Sequence, residues 1–148
     1  CYDMWFPETT RTLAAMGAEV ILHPTMTDTI DRDIELSIAR TNAAVNQCYF
    51  FDINGAGAIG NGRSIVVGPS GDVIHQAGTG EEVMPIEVDL NRVRRERETG
   101  LRGLGQPLKS FRDRRVDFTL YRSETGSSPF LDTLGPLQKP LRADVEEY

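Results

Sequence analysis

The sequence contains little of what disulfide-rich, membrane-spanning or nucleic-acid-binding proteins require. Two cysteines in 148 residues are too few for the disulfide framework of a small secreted domain. No apolar run approaches the length of a membrane span, and no opening stretch is typical of a signal peptide. The formal net charge of −6 argues against a general affinity for nucleic acid. We therefore expect a cytoplasmic protein with neither a membrane nor a nucleic acid as its partner.

Lysine and histidine are also scarce. The only lysines are Lys109 and Lys139, and the only histidines, His23 and His75, have no partner at the spacing of a metal site. We therefore predict no metal ion. Hydrophobic residues make up 39% and charged residues 26% of the chain, which is typical of one globular domain.

The first hundred residues alternate between helix and strand patterns, which predicts an α/β fold. Pro7 suits the first turn of a helix, and residues 20–22 form a short apolar strand closed by Pro24. A longer helix over residues 29–47 follows, with Asp28 as its N-cap. Its predicted buried stripe comprises Ile30, Ile34, Ile38, Thr41 and Val45.

Further strands and a charged helix complete this region. The predicted strands cover residues 48–53, 64–67, 72–76 and 83–88, and the last three are typical of antiparallel pairing. A charged helix capped by Asn91 ends at Gly100. Beyond it the periodicity fades. Residues 1–100 are therefore predicted to form one domain, and residues 101–148 a C-terminal extended arm that contacts another surface.

The opening octet, Cys1 to Glu8, carries the strongest chemical signal. Cys1 stands immediately before a turn into a helix, where backbone N–H groups lower the pKa of a thiol and can hold an oxyanion. Cys1 is therefore a candidate nucleophile, and a buried structural thiol is the alternative that the octet alone leaves open. Cys48, which opens an aromatic-rich strand, is predicted to be a small buried hydrophobe.

An ordered series of motifs extends over about residues 1–121. The series comprises Cys1-Tyr2-Asp3, Phe6-Pro7-Glu8, Arg11, Leu13-Ala14, Gly17-Ala18, Pro24-Thr25, Ala39-Arg40, Asn46, Asn54, Gly62-Arg63-Ser64, Pro69-Ser70-Gly71, Asp89, Arg114-Arg115, Asp117 and Tyr121. In this order, these residues resemble the carbon–nitrogen hydrolase family, the nitrilase superfamily.

The resemblance implies that the chain is the C-terminal half of a four-layer α-β-β-α sandwich with a Cys–Glu–Lys active site. Cys1 would attack an amide or carbamoyl carbon, and the backbone N–H of Tyr2 would help to hold the oxyanion. Ammonia or an amine would leave, and water would then release a carboxylic acid from the acyl-thioester. The family implies neither a metal nor an organic cofactor.

The Glu and the Lys of the family's active site lie upstream of its cysteine. Neither Lys109 nor Lys139 stands at that place, so both catalytic residues are expected outside this chain, in a missing N-terminal half of the hydrolase domain. A half-sandwich exposes one face of its sheet, which favours association. The family resemblance also implies a homo-oligomer.

The Cys-Tyr-Asp triplet resembles the amide- and carbamoyl-hydrolysing members, whereas true nitrilases more often carry Cys-Trp-Glu. The predicted substrate is therefore a small linear amide or an N-carbamoyl compound, with nitrilase activity as an alternative. Residues that follow elements ending near Cys1 are predicted to line the substrate pocket: Trp5, Phe6, Pro24, Thr25 and Met26.

Two other hypotheses stay open from the sequence. Cys1 could be an N-terminal nucleophile whose own α-amino group is the base, which predicts a different sheet arrangement. The other hypothesis is a hydrolase-like module retained for assembly without catalysis, because the chain lacks the Glu and the Lys.

Overall fold

The computed structural model describes two compact units of the chain. They are Cys1–Arg112 and Asp113–Tyr148, and the described residues are 1–114, 118, 121 and 128–138. The first unit continues past Gly100, because a short helix follows there. Within the predicted arm over residues 101–148, the part up to Arg112 thus belongs to the first unit. Arg115 and Asp117 of the motif series, and most of the chain after Tyr121, lie outside the described residues.

The α-helices of the described residues are α1 (Pro7–Ala15), α2 (Asp31–Asn46), α3 (Leu90–Thr99) and α4 (Pro107–Asp113). Pro7 occupies the first turn of α1, as predicted. The predicted cap of α3, Asn91, is wrong, because α3 begins at Leu90 and its N-cap is Asp89. Oδ1 of Asp89 accepts the Asn91 N–H at 2.9 Å. Among the described residues, none of the helices has the length and hydropathy of a membrane span.

A four-stranded sheet forms the centre of the first unit. Its strands are β1 (Val20–Thr25), β2 (Tyr49–Asn54), β3 (Ile65–Val67) and β4 (Val73–Gln76), in the order β1-β2-β3-β4. β1 and β2 run parallel and are joined by α2, whereas β3 is antiparallel to both β2 and β4. The predicted α/β class is confirmed.

β1 is longer than its prediction, because Pro24 does not end it. β1 is the edge strand of the sheet, and Pro24 pairs in register with Ile53 of β2. An edge position tolerates proline, since the missing N–H can face the unpaired side. The predicted strand over residues 83–88 is wrong: those residues form no strand, and Pro85 in their middle has no N–H for a ladder.

α2 differs from its prediction in its start and in its buried face. It begins after Ile30 without a capping side chain, so the predicted N-cap Asp28 is wrong. Most of the predicted stripe is exposed, and Ile38 alone of its five residues packs against the core. The buried residues are Arg32, Glu35, Leu36, Ala39, Asn42, Ala43 and Asn46. Alanines let the helix approach the sheet closely, so a face chosen by hydrophobicity is the wrong face.

α2 covers one face of the sheet. The core cluster on this side comprises Met4, Ile21, Leu36, Ala39, Ala43, Cys48, Phe50, Ile65 and Val67. On the opposite face, Tyr49 and Val66 are buried, whereas Leu22 is 72% and Ile53 is 42% exposed. The fold is therefore an α/β half-sandwich whose second sheet face is open in part.

Candidate active site

Cys1 lies at the end of the sheet where the parallel strands finish. It precedes a 3-10 helix, Tyr2–Trp5, and is exposed. Its Sγ is 3.1 Å from Oγ1 of Thr25, the last residue of β1. Ligand sites of α/β folds lie outside the carboxyl ends of parallel strands, so the thiol stands where a substrate can reach it.

A cavity of about 450 Å³ opens beside Cys1. Its lining consists of Cys1, Tyr2, Trp5, Met26, Thr27, Asp28, Thr29, Asp31 and Glu35. Three of these residues are acidic and none is basic. The described wall of the cavity therefore favours a neutral or cationic ligand over an anion.

The structure brings three of the five predicted pocket residues to this place: Trp5, Met26 and Thr25. Phe6 does not line the cavity, and its ring packs edge-on against that of Tyr2 with 5.4 Å between centroids. Pro24 is exposed and does not line it either. Successive residues of a strand point to opposite faces, which separates Pro24 from its neighbour Thr25.

A network of buried polar side chains lies behind Cys1. His23 Nε2 is 2.8 Å from the Cys1 carbonyl oxygen, and His23 Nδ1 is 2.8 Å from Asp52 Oδ1. Arg32 Nη1 donates to Asp52 Oδ2 at 2.7 Å and to Glu35 Oε2 at 3.1 Å. Arg32 and Asp52 are fully buried, so their opposite charges compensate each other away from water.

The network returns to Cys1 through two hydroxyl groups. Thr27 donates to Glu35 Oε1 at 2.9 Å, and its Oγ1 is 3.3 Å from that of Thr25, which contacts the Cys1 thiol. The contacts thus form a closed ring from the Cys1 carbonyl to the Cys1 sulfur. The described residues contain no group of His, Cys, Asp and Glu that could hold a metal ion.

Asn54 fixes the segment that carries Thr27. Its Oδ1 accepts the Thr27 N–H at 2.7 Å, and its Nδ2 donates to the Thr27 carbonyl at 2.9 Å and to the Gly62 carbonyl at 2.8 Å. Both peptide groups of Thr27 are therefore held by one side chain. This clamp makes the wall of the cavity rigid next to the thiol.

His23 and Asp52 are functional candidates that the sequence prediction missed. The predicted strand stopped at residue 22, which hid the alternation of polar residues at His23, Thr25 and Thr27 on one face. The parallel register pairs His23 directly with Asp52. The alternation of polar residues was the signal that could have revealed His23 in the sequence. Its contact with Asp52 depends on the pairing of β1 with β2, which only the fold shows.

Cys48 presents the opposite case to Cys1. It is fully buried in the core. Desolvation raises the pKa of its thiol to about 11, although the charges of Arg97 and Arg11 act in the lowering direction. The Cys48 thiol therefore stays protonated and inert near neutral pH.

A half-sandwich with a thiol and a cavity at the carboxyl ends of its parallel strands suits a hydrolase that uses a cysteine. The model of the carbon-nitrogen hydrolase family matches residues 1–98. The chain belongs to this family, within the nitrilase superfamily.

Amidases are among the relatives of the chain. The chain is 35% identical to the omega-amidase NIT3 of Saccharomyces cerevisiae over 95 residues, 60% of this chain and 33% of the relative. It is 31% identical to the N-carbamoylputrescine amidase of Solanum tuberosum over 150 residues, 87% of this chain and 47% of the relative.

A solved amidase from Nesterenkonia sp. AN1 superposes with a TM-score of 0.62 at 25% identity, covering 82% of this chain and 41% of that one. A variant of that amidase shows covalent addition of the acetamide moiety of fluoroacetamide at its active-site cysteine. The chain spans between about a third and a half of the length of these relatives.

Proposed function

We propose that Cys1 is the nucleophile of an amidase that hydrolyses small linear amides or N-carbamoyl compounds. The observation that carries this proposal is the place of the thiol, exposed at the cavity with Thr25 Oγ1 at 3.1 Å. The amidases among the relatives support the reaction class. The covalent adduct at the cysteine of the Nesterenkonia amidase supports the covalent route.

The reaction proceeds through an acyl-thioester. The Cys1 thiolate attacks the carbonyl carbon, so a C–S bond forms while the carbonyl oxygen takes the negative charge. That charge is held by the N–H of Tyr2, which begins a 3-10 helix and so has no partner inside it. The intermediate collapses, and ammonia or an amine leaves with a proton. Water then attacks the thioester, releases the acid and restores the thiol.

Thr25 assists the nucleophile. Its hydroxyl is 3.1 Å from Sγ and can donate a hydrogen bond to the thiolate, which stabilises the charged form. Trp5 and Met26 form the apolar side of the cavity, where the acyl group of a short amide fits. Phe6 and Pro24 stay predicted pocket residues, although neither lines this cavity.

The general base and the oxyanion-stabilising lysine of this reaction are proposed to lie in an N-terminal half of the hydrolase domain. That half packs on the open sheet face, where Leu22 and Ile53 are exposed. Burial of this apolar face drives the docking and completes the four-layer sandwich. The reaction needs neither a metal nor an organic cofactor.

Association of several copies is also proposed, in the cytoplasm. Ile30 and Ile34 on the outer face of α2 are about half exposed, and exposed apolar side chains at helical spacing favour a protein contact. The predicted arm contributes to this contact. Deleting residues 123–148 should weaken association in sedimentation and leave the chemistry at Cys1 nearly unchanged.

The test starts from the intact mass of the purified protein under denaturing conditions. A species larger than 16.4 kDa, or a second fragment beside this one, supplies the half that carries Glu and Lys. Ammonia release from short aliphatic amides and N-carbamoyl amines is then measured on that protein. Release that stops when Cys1 is replaced supports the proposal. A single species of 16.4 kDa that releases ammonia through Cys1 would favour the N-terminal-nucleophile mechanism instead.

A further inference from the structure

His23 holds the peptide group that joins Cys1 to Tyr2. The carbonyl of this group accepts a hydrogen bond from His23 Nε2 at 2.8 Å and a longer one from the Met4 N–H at 3.4 Å. The N–H of the same peptide group is the proposed oxyanion donor. His23 therefore contacts the C=O of the same peptide group whose N–H would stabilise the transition state.

The surroundings of His23 assign a proton to its Nε2 nitrogen. Nε2 faces a carbonyl oxygen, which can only accept, and Nδ1 faces Asp52 Oδ1 at 2.8 Å. The other oxygen of Asp52 accepts a hydrogen bond from Arg32 at 2.7 Å. Nε2 is therefore the donor to the Cys1 carbonyl, and Asp52, itself held by Arg32, fixes the orientation of the ring.

This geometry has two consequences for the Cys1–Tyr2 peptide. The hydrogen bond from His23 Nε2 fixes the plane of the peptide, and so the direction in which the Tyr2 N–H points. Donation to the carbonyl also polarises the amide, because hydrogen bonds in a chain strengthen one another. Both effects strengthen a hydrogen bond from the Tyr2 N–H to an oxyanion.

We propose that His23, held by Asp52 and Arg32, is a positioning residue that aligns and polarises the Tyr2 N–H for the oxyanion of the hydrolysis. This inference rests on the proposed function, because it needs a tetrahedral intermediate at Cys1. His23 itself touches neither the substrate nor the reacting atoms. Its effect is therefore confined to steps in which negative charge develops on the carbonyl oxygen.

Two thiol reagents separate this role from general support of the fold. Butyraldehyde adds to a thiol with formation of a C–S bond, and its carbonyl oxygen takes the charge that the Tyr2 N–H would hold. Iodoacetamide forms a C–S bond with loss of iodide, and no charge develops on its carbonyl oxygen. A positioning residue should affect the first reaction and spare the second.

The test compares His23→Leu and His23→Gln with wild type in the hydrolase that carries both halves. We expect His23→Leu to raise the dissociation constant of butyraldehyde and to lower kcat for an amide by about 10- to 100-fold. The KM and the rate of Cys1 alkylation by iodoacetamide should change by less than about threefold. His23→Gln, which keeps an amide N–H near the place of Nε2, should recover part of the loss.

His75→Gln is the matched control. His75 also pairs with a carboxylate, Glu82 Oε1 at 2.6 Å, but it lies on β4 and is partly exposed. We expect wild-type values for His75→Gln in all three measurements. The same substitution chemistry is thereby tested at a histidine–carboxylate pair outside the ring.

The contradictory outcomes are distinct. Wild type that neither binds butyraldehyde nor alkylates faster at Cys1 than at Cys48 would overturn the proposed function itself. Wild type that binds butyraldehyde, with no loss in either His23 variant, would overturn the role of His23 alone. Equal losses in aldehyde binding and alkylation for both variants would show that His23 supports only the fold, which also contradicts the inference.

Discussion

Cys1 and Cys48 lie at opposite ends of the parallel strands β1 and β2, and their surroundings differ in kind. Cys1 is exposed beside a cavity, with Thr25 at its sulfur and a ring of polar side chains behind it. Cys48 immediately precedes β2 and is fully buried among apolar residues. The carboxyl ends of the strands carry polar side chains around a cavity, and the amino ends carry apolar side chains packed in the core.

Charged residues lie at both ends of the parallel strands, but their surroundings differ. At the carboxyl end, Arg32 and Asp52 are fully buried and hold each other and His23 in place. At the amino end, a partly exposed arginine links α3 to the residue that follows α2: Arg97 Nε donates to the Gln47 carbonyl at 3.0 Å. Buried pairs specify a geometry, whereas half-exposed pairs add little stability.

The largest effect is expected from replacing the two thiols in turn. Cys1→Ala should lower kcat/KM for an amide by at least about 10⁴-fold, because the covalent route is lost. Cys48→Ala should keep the activity within about threefold and cost about 1 kcal/mol of stability, since it opens a small core cavity. Steady-state ammonia release and urea unfolding measure the two quantities. Similar activities in both variants would contradict the division between the two ends.

Breaking the buried pair should have the next largest effect. Arg32→Met leaves the carboxyl groups of Asp52 and Glu35 buried without the guanidinium that pairs with both, and it should lower the free energy of unfolding by about 3–5 kcal/mol. The control is Arg63→Met, because Arg63 pairs with the exposed Asp33 and its loss should cost about 0.5 kcal/mol. Urea titration at neutral pH compares them. Equal costs would mean that the ring contributes no more than a surface pair.

The two thiols should also differ in alkylation. At pH 7.5 we expect iodoacetamide to label Cys1 at least about 100-fold faster than Cys48, whose pKa is raised to about 11 by burial. Labelling of Cys48 should rise as the pH approaches that value. In 8 M urea the two rates should converge to within about threefold, since both thiols are then solvated. Peptide mapping measures the two sites, and equal slow rates in the native protein would contradict a reactive Cys1.

Asp72 is a partly exposed residue at the amino end of the parallel strands, where it pairs with Arg92. Burial alone would raise the pKa of Asp72, but the hydrogen bond and charge of Arg92 outweigh it, so the pKa is lowered in the folded protein. A lowered pKa adds stability above the unfolded value of about 4, and this stability is lost as the pH falls through the folded pKa. Asp72→Asn should therefore cost about 0.5 kcal/mol at pH 7 and less at pH 3. Urea unfolding at both pH values measures this, and a cost that grows in acid would contradict it.

Much of the fold could be predicted from local patterns. Pro7 marked the start of α1, and the turns between the antiparallel strands were visible as glycine and proline signals. The prediction of a strand over residues 83–88 was wrong. It relied on the alternation of apolar residues and gave too little weight to Pro85, which has no N–H to donate. The predicted buried face of α2 was wrong, because the residues that pack against the sheet include the small Ala39 and Ala43 and not the larger isoleucines Ile30 and Ile34.

The candidate site, like the fold, could be predicted only in part. The motif around Cys1 is contiguous, so the sequence alone could point to Cys1 as the candidate nucleophile. His23, Arg32 and Asp52 are separated along the chain, and they meet only because β1 and β2 pair in one register and α2 crosses between them. A site built by register is invisible to spacing rules that work along a single helix or strand.

The most direct measurement is mass spectrometry of the hydrolase after rapid acid quenching during turnover of a short amide. We expect an acyl group on the peptide that contains Cys1, present during turnover and absent after the substrate is consumed. Cys48 should stay unmodified throughout. Ammonia release without any acyl group on Cys1, or an acyl group on Cys48 instead, would contradict the assignment of Cys1 as the nucleophile.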